Sequence, residues 1–141
     1  MKPPSWALRF LYIGTADFDR DLAHYRDVLA ARLVWHFEHF GAKVAAVSMG
    51  DGPLLLLADY RPAPSCMPVF EVENLAAAVR TLRARGWHAL GSRFEIPNGP
   101  CLRFDGPSGN PYAPFEDQRP EAMPRAYADP ENAHAVHADD A

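Results

Sequence analysis

His36, Glu38 and His39 put two imidazoles and a carboxylate into one short run. On a strand, His36 and Glu38 share a face and His39 points to the other. That offers two metal ligands on one side, fewer than the three protein ligands of a catalytic zinc site. The run therefore reads first as a polar strand edge. His134 and His137 have the i, i+3 spacing of one helix face, but in a segment whose composition suits a solvated tail. Cys101 becomes a nucleophile only if its pKa is depressed, and Arg103 would share its strand face; the simpler reading is a small buried strand residue. Tyr12 and Glu71 place a phenol and a carboxylate among apolar strand residues. They could exchange protons with a substrate, or orient a bound ligand in an apolar pocket. Trp35, Phe37 and Trp87 could stack on a flat ligand or serve as ordinary core aromatics. No residue is assigned a catalytic role.

The elements that must position these groups follow one script twice. The first pass predicts a strand at 8–13, a helix at 17–29 and strands at 32–40, 43–49 and 53–58. The second predicts a strand at 67–72, a helix at 74–85 and strands at 87–94, 100–104 and 112–115. Asp17 and Asn74 are the expected N-caps. Phe18, Leu22, Tyr25 and Leu29 form one helical stripe; Leu75, Ala78, Val79 and Leu82 form the other. Gly86 is a natural terminator after the second helix. Turn residues bound the strands at Gly41, Gly50-Asp51-Gly52-Pro53, Asn98-Gly99-Pro100 and Gly106-Pro107-Ser108-Gly109-Asn110. The fold class is α+β: two tandem βαβββ modules, about 8–60 and 67–116, whose curved mixed sheets surround a cleft.

Composition narrows the function classes. The net charge of −4 belongs to residues 117–141, which carry six acids against two arginines; residues 1–116 balance twelve acids with twelve Lys or Arg. A neutral body has no basic stripe for nucleic acid, and no apolar run reaches the roughly 20 residues of a membrane span. Residues 1–6 lack a signal-peptide core, and two cysteines make no disulfide framework, so a cytoplasmic location is expected. Residues 117–141 hold seven alanines, three prolines and only Val136 as a large aliphatic residue. Such a segment is expected to be a mobile or loosely docked arm.

The stretch Asp17-Phe18-Asp19-Arg20-Asp21-Leu22-Ala23-His24-Tyr25-Arg26-Asp27-Val28-Leu29 is similar to the opening helix of the vicinal oxygen chelate superfamily. That superfamily includes glyoxalase I, extradiol dioxygenases and bleomycin-resistance proteins. Phe104-Asp105-Gly106-Pro107-Ser108-Gly109-Asn110 resembles its closing Phe-x-Asp-Pro-x-Gly-Asn turn, with Gly106 where the turn aspartate usually stands. The resemblance covers residues 8–116. It implies four metal-ligand positions, which fall on Phe10, Leu56 or Leu57, Met67 and Ala113. None offers the imidazole or carboxylate that a hard divalent ion takes.

The expected function is therefore metal-free binding of a small organic ligand, by sequestration, with no cofactor. Phe10, Tyr12, Trp35, Phe37, Leu56, Met67, Val69, Glu71, Cys101, Arg103 and Ala113 are the candidate ligand-binding residues. A neutral body argues against a cationic glycopeptide as that ligand. Two alternatives stay open: a lyase, isomerase or dioxygenase with a relocated metal or acid–base residues, and an interaction module whose cleft is filled by its own side chains or tail. A homodimer is expected from exposed sheet edges and from the family's habit.

Overall fold

The computed structural model describes residues 5–137. Along the chain run β1 (Ala7–Gly14), α1 (Phe18–Ala23), β2 (Arg32–His39), β3 (Ala42–Ser48), β4 (Leu54–Ala58), β5 (Cys66–Val72), α2 (Leu75–Ala84), β6 (Leu90–Ile96), β7 (Gly99–Asp105), β8 (Pro111–Glu116) and α3 (Ala122–Ala128). The βαβββ order occurs twice, as tandem modules of an α+β fold, and is followed by a helix. The chain divides into two compact units. One joins Phe10–Cys66 to the described part of Glu121–Ala141; the other joins the described part of Met1–Arg9 to Met67–Pro120.

In the first unit the strand order is β2-β3-β4-β1. β1 runs parallel to β4, with Tyr12 opposite Leu56, and the other pairs are antiparallel. Asp17 caps α1 by accepting from the Arg20 amide at 3.2 Å. Phe18 and Leu22 pack on Ala45, Val47 and Leu57, with Ile13, Tyr25 and Leu55 around them. Alternate residues of β1 and β4 therefore point away from α1.

The helix expected to run unbroken to Leu29 does not. After Ala23 the backbone widens into a π turn, His24–Val28, and the Leu29 amide donates to the His24 carbonyl at 3.2 Å. A π turn adds a residue per turn and rotates the residues beyond it about the helix axis. Leu29 leaves the stripe and is 43% exposed, while Tyr25 stays against the core.

In the second unit the order is β5-β8-β7-β6, with β5 and β8 parallel and the rest antiparallel. Asn74 caps α2 through the Ala77 amide at 2.9 Å, and Glu116 accepts from the Leu75 amide at 2.9 Å. Those two bonds satisfy donors that the first turn leaves without helical partners. Leu75 and Val79 bury against Val72 and Phe104, with Trp6, Leu102 and Tyr112 beside them. The turn after β7 closes with Gly106 and Asn110 paired at 2.9 Å; Gly109, at φ 86°, takes the left-handed conformation that glycine tolerates. No helix among the described residues is long and apolar enough to cross a membrane.

The two outer strands differ. β2 is covered along its free edge by residues 134–136: the Glu38 amide donates to the His134 carbonyl at 2.9 Å, and Val136 to His36 at 2.8 Å, around a Phe37–Ala135 bridge. β6 has one described neighbour, β7, and nearly every residue exposed, with Leu90 at 48% and Phe94 at 41%.

Residues 134–136 of the segment expected to be a mobile or loosely docked arm thus lie against β2. A count of large aliphatic residues misses the seat, which uses Met123 and Tyr127 instead, with Ala126 and Ala135 filling narrow gaps.

Candidate functional site

The first unit gathers five of the candidate residues on one surface. Trp35 and Phe37 are alternate residues of β2, Leu56 lies on β4, and Phe10 and Tyr12 are alternate residues of β1. They form one apolar cluster with Ala46, Val44 and Leu54, on the side of the sheet away from α1. Leu57 packs beneath α1, so the position left between Leu56 and Leu57 belongs to Leu56. The Trp35 and Phe37 rings are 5.6 Å apart and tilted by 49°. Trp35 is 3% exposed.

Over this surface lies the C-terminal segment. Met123, Ala126, Tyr127 and Ala135 pack against the cluster. The Tyr127 ring meets Phe37 edge-on at 5.7 Å and 74°, an arrangement favoured by ring quadrupoles. Its hydroxyl donates to the Val136 carbonyl at 2.7 Å. Tyr12 keeps polar company at the margin: its hydroxyl is 3.5 Å from that of Tyr60, and the Arg61 guanidinium lies 5.4 Å from its ring centre. Sequence reasoning missed Met123, Tyr127, Tyr60 and Arg61. The signal in the tail was the spacing of Met123, Ala126 and Tyr127, which share a helical face.

In the second unit Met67, Val69 and Glu71 alternate along β5, with Val69 opposite Ala113 and Glu71 opposite Phe115 on β8; Cys101 on β7 also pairs with Phe115. This is the face turned away from α2, since Val72, Leu102, Phe104 and Tyr112 pack beneath that helix. Met67, Val69, Cys101 and Ala113 are buried. Glu71 accepts from Arg9 at 3.0 Å, and Arg103 donates to Asp105 at 3.2 Å. Burial pushes the Cys101 thiol up to about 12, against a weaker lowering by the Leu102 amide. A thiol so rarely ionised is not a nucleophile. Cys66 is exposed, and both cysteines are free.

The histidines do not converge. His36 is buried beneath Phe18, ring centres 5.3 Å apart, with its Nε2 3.6 Å from the Glu38 carboxylate. It lies on the outer strand, as a strand-edge reading requires, but is buried rather than partly exposed. Burial lowers its pKa; Glu38 and Asp19 oppose that, and Lys43 and Arg26 add to it. His39 turns the other way and meets His134 at 3.8 Å, while His137 stacks on Tyr127 at 4.1 Å. His134 and His137 lie outside any helix, so the i, i+3 reading fails. Among the described residues no group of three or more His, Cys, Asp or Glu could hold a metal ion. The four positions that the resemblance implies, Phe10, Leu56, Met67 and Ala113, carry a phenyl ring, an isobutyl group, a thioether and a methyl. This donor set does not fit a divalent cation.

No family model matches the sequence, and no curated protein matches it. Solved structures do match in fold. Methylmalonyl-CoA epimerase from Mycobacterium tuberculosis superposes with a TM-score of 0.69 at 18% identity, over 84% of this chain and 93% of that one. A hypothetical protein from Bacillus halodurans gives 0.70 at 13% identity, over 82% and 96%. A glyoxalase/bleomycin resistance protein/dioxygenase superfamily member from Vibrio splendidus gives 0.59 at 12% identity, over 80% and 99%. At these identities the likeness is one of fold: the chain has the vicinal oxygen chelate fold.

Proposed function

We propose that this vicinal oxygen chelate fold binds a small organic ligand by burying it against apolar and aromatic side chains, without a resident metal. The observation that supports the reading is the apolar and aromatic surface of Phe10, Tyr12, Trp35, Phe37 and Leu56, two of which, Phe10 and Leu56, stand at positions where the resemblance implies metal ligands. Apolar walls with a few polar groups at the margin are the usual make-up of a ligand pocket. Tyr12, Tyr60 and Arg61 supply that margin. Calorimetric titration with 2-naphthol, with and without cobalt, tests it: saturable binding that cobalt leaves unchanged is expected. Absence of binding, or binding that needs the metal, overturns the reading.

Epimerase activity like that named for the Mycobacterium protein is the second reading. It would need acid–base groups at the reacting carbon. In this chain Glu71 is engaged by Arg9 and Cys101 is un-ionised. Incubation of methylmalonyl-CoA with the protein, followed by chiral analysis, is expected to show no racemisation above buffer.

The proposed assembly is a homodimer formed through β6. Its outer edge, unpaired among the described residues and with Leu90 and Phe94 more than 40% exposed, is the kind of surface that chains pair to protect. Sedimentation equilibrium should give twice the 15.6 kDa chain mass, and Phe94→Asp should return the chain to a monomer.

A further inference from the structure

We propose that the aromatic surface of the first unit is a ligand seat held by the protein's own C-terminal segment. A flat aromatic ligand with one hydrogen-bonding group binds there by displacing Met123, Ala126 and Tyr127. The inference rests on the binding reading above and names its ligand class.

The occupant shows what the seat accepts. Tyr127 brings a phenol ring edge-on to Phe37 at 5.7 Å. Met123, Ala126 and Ala135 add methyl and thioether groups to the same cluster. The ring thus meets a surface shaped for rings, while its hydroxyl donates within the segment, to the Val136 carbonyl at 2.7 Å. A free phenol or naphthol would present the same ring.

The occupant is also built to leave. α3 has seven residues, too few to persist as a helix without a surface to lie on. Its N-cap, Glu121, sits at φ 63° with no side-chain cap. Upstream the chain is pinned. The Gln118 and Arg119 amides both donate to the Asn98 carbonyl, at 2.9 and 2.8 Å, and Arg119 pairs with Glu95 at 2.7 Å. Downstream, two backbone bonds at the β2 edge hold residues 134–136. Between these anchors the segment is ordered mainly by the seat, so whatever takes the seat releases it.

Trp35, buried under the segment, is the natural reporter. Full-length protein with Trp6→Phe and Trp87→Phe leaves it as the sole tryptophan. Two further variants unseat the segment from different sides: Tyr127→Asp at the seat, and Val136→Pro, which removes the amide that donates to His36. The probe is 2-naphthol. In the parent, saturable binding should accompany at least tenfold faster tryptic cleavage after the exposed Arg125. In both variants acrylamide should quench Trp35 before any probe is added, and 2-naphthol should bind at least tenfold more tightly, with far-UV dichroism changed by no more than the loss of the short α3 helix. Equal affinity in parent and variants, with cleavage at Arg125 unaffected, overturns the displacement and leaves the binding reading standing. Trp35 freely quenched but no saturable binding in any protein overturns both. Should Tyr127→Asp not fold, Val136→Pro carries the comparison. Should neither fold, the parent decides alone, because probe that binds without opening Arg125 to trypsin overturns the proposal.

Discussion

Phe37 meets Tyr127 ring to ring at 5.7 Å while its backbone bridges Ala135, so one strand residue receives the C-terminal segment at both ends. Truncating the partner should register as stability. Tyr127→Ala is expected to cost about 1–3 kcal/mol, combining lost apolar burial of a half-buried ring with an aromatic pair. Tyr127→Phe, which removes only the hydroxyl bond to Val136, should cost about 0.5–1.5 kcal/mol. Urea denaturation of both variants beside the parent checks the order; equal midpoints for all three would contradict it.

A chain ending at Pro120 is expected to melt lower than the full chain by several degrees. Composition alone suggests no change, because residues 117–141 look unable to support a core. Removing the segment strips Trp35, Phe37 and Leu56 of their cover. The loss is offset by relief of the ordering entropy of the segment, so a net of about 1–2 kcal/mol is reasonable. In this size range that moves the midpoint by roughly 2–8 °C. Differential scanning calorimetry gives the shift, and an unchanged midpoint would mean the segment adds nothing.

Acid should weaken the fold through His36. Burial holds its folded pKa below the ordinary 6.5, so the unfolded chain takes up the proton first as pH falls. Stability from this residue is complete above about pH 6.5 and is lost as pH drops toward the folded value. The slope is bounded by about 1.4 kcal/mol per pH unit for one proton. The facing charges are Glu38 and Asp19, which favour the proton, and Lys43 and Arg26, which oppose it. Urea midpoints between pH 7.5 and 5 should fall less steeply for His36→Asn than for the parent; equal slopes would refute the assignment.

Thiol chemistry should separate the two cysteines. With Cys101 pushed from 9.0 to about 12, its thiolate population is about a thousandfold smaller than that of an ordinary cysteine, and burial blocks access besides. Disulfide-exchange reagent added to native protein should modify one thiol per chain, and none in Cys66→Ser. Two equivalents reacting at similar rates in the native state would show Cys101 to be accessible.

Strand faces were legible from the sequence because period-two alternation has one solution once one face must be buried. Phe10 and Tyr12 fall opposite Ile13, and Val69 and Glu71 fall opposite Phe70 and Val72, as that alternation requires. Capping at Asp17 and Asn74 was legible for the same kind of reason, since a side-chain oxygen three residues before an amide is local chemistry. The π turn at His24–Val28 was not, because a single extra residue per turn leaves no compositional mark. Nor was the fate of residues 121–137. Met123, Ala126 and Tyr127 acquire meaning only beside Trp35 and Phe37, which lie some ninety positions earlier. Segment composition measures what a stretch can bury by itself, not what another part of the chain offers it.

The docking of residues 121–137 also sets an order of events during synthesis. β2, with the rings of Trp35 and Phe37 and its edge amides, is translated before the residues that cover it. Fifty-four residues, 67–120, separate the two parts of that unit. At about 5–20 residues per second, the gap lasts roughly 3–11 seconds. Throughout that interval the nascent first unit offers a bare strand edge and an uncovered aromatic surface, the features that chaperones and neighbouring nascent chains bind. Slow translation of the second half would lengthen that exposure without altering a single residue of the finished protein.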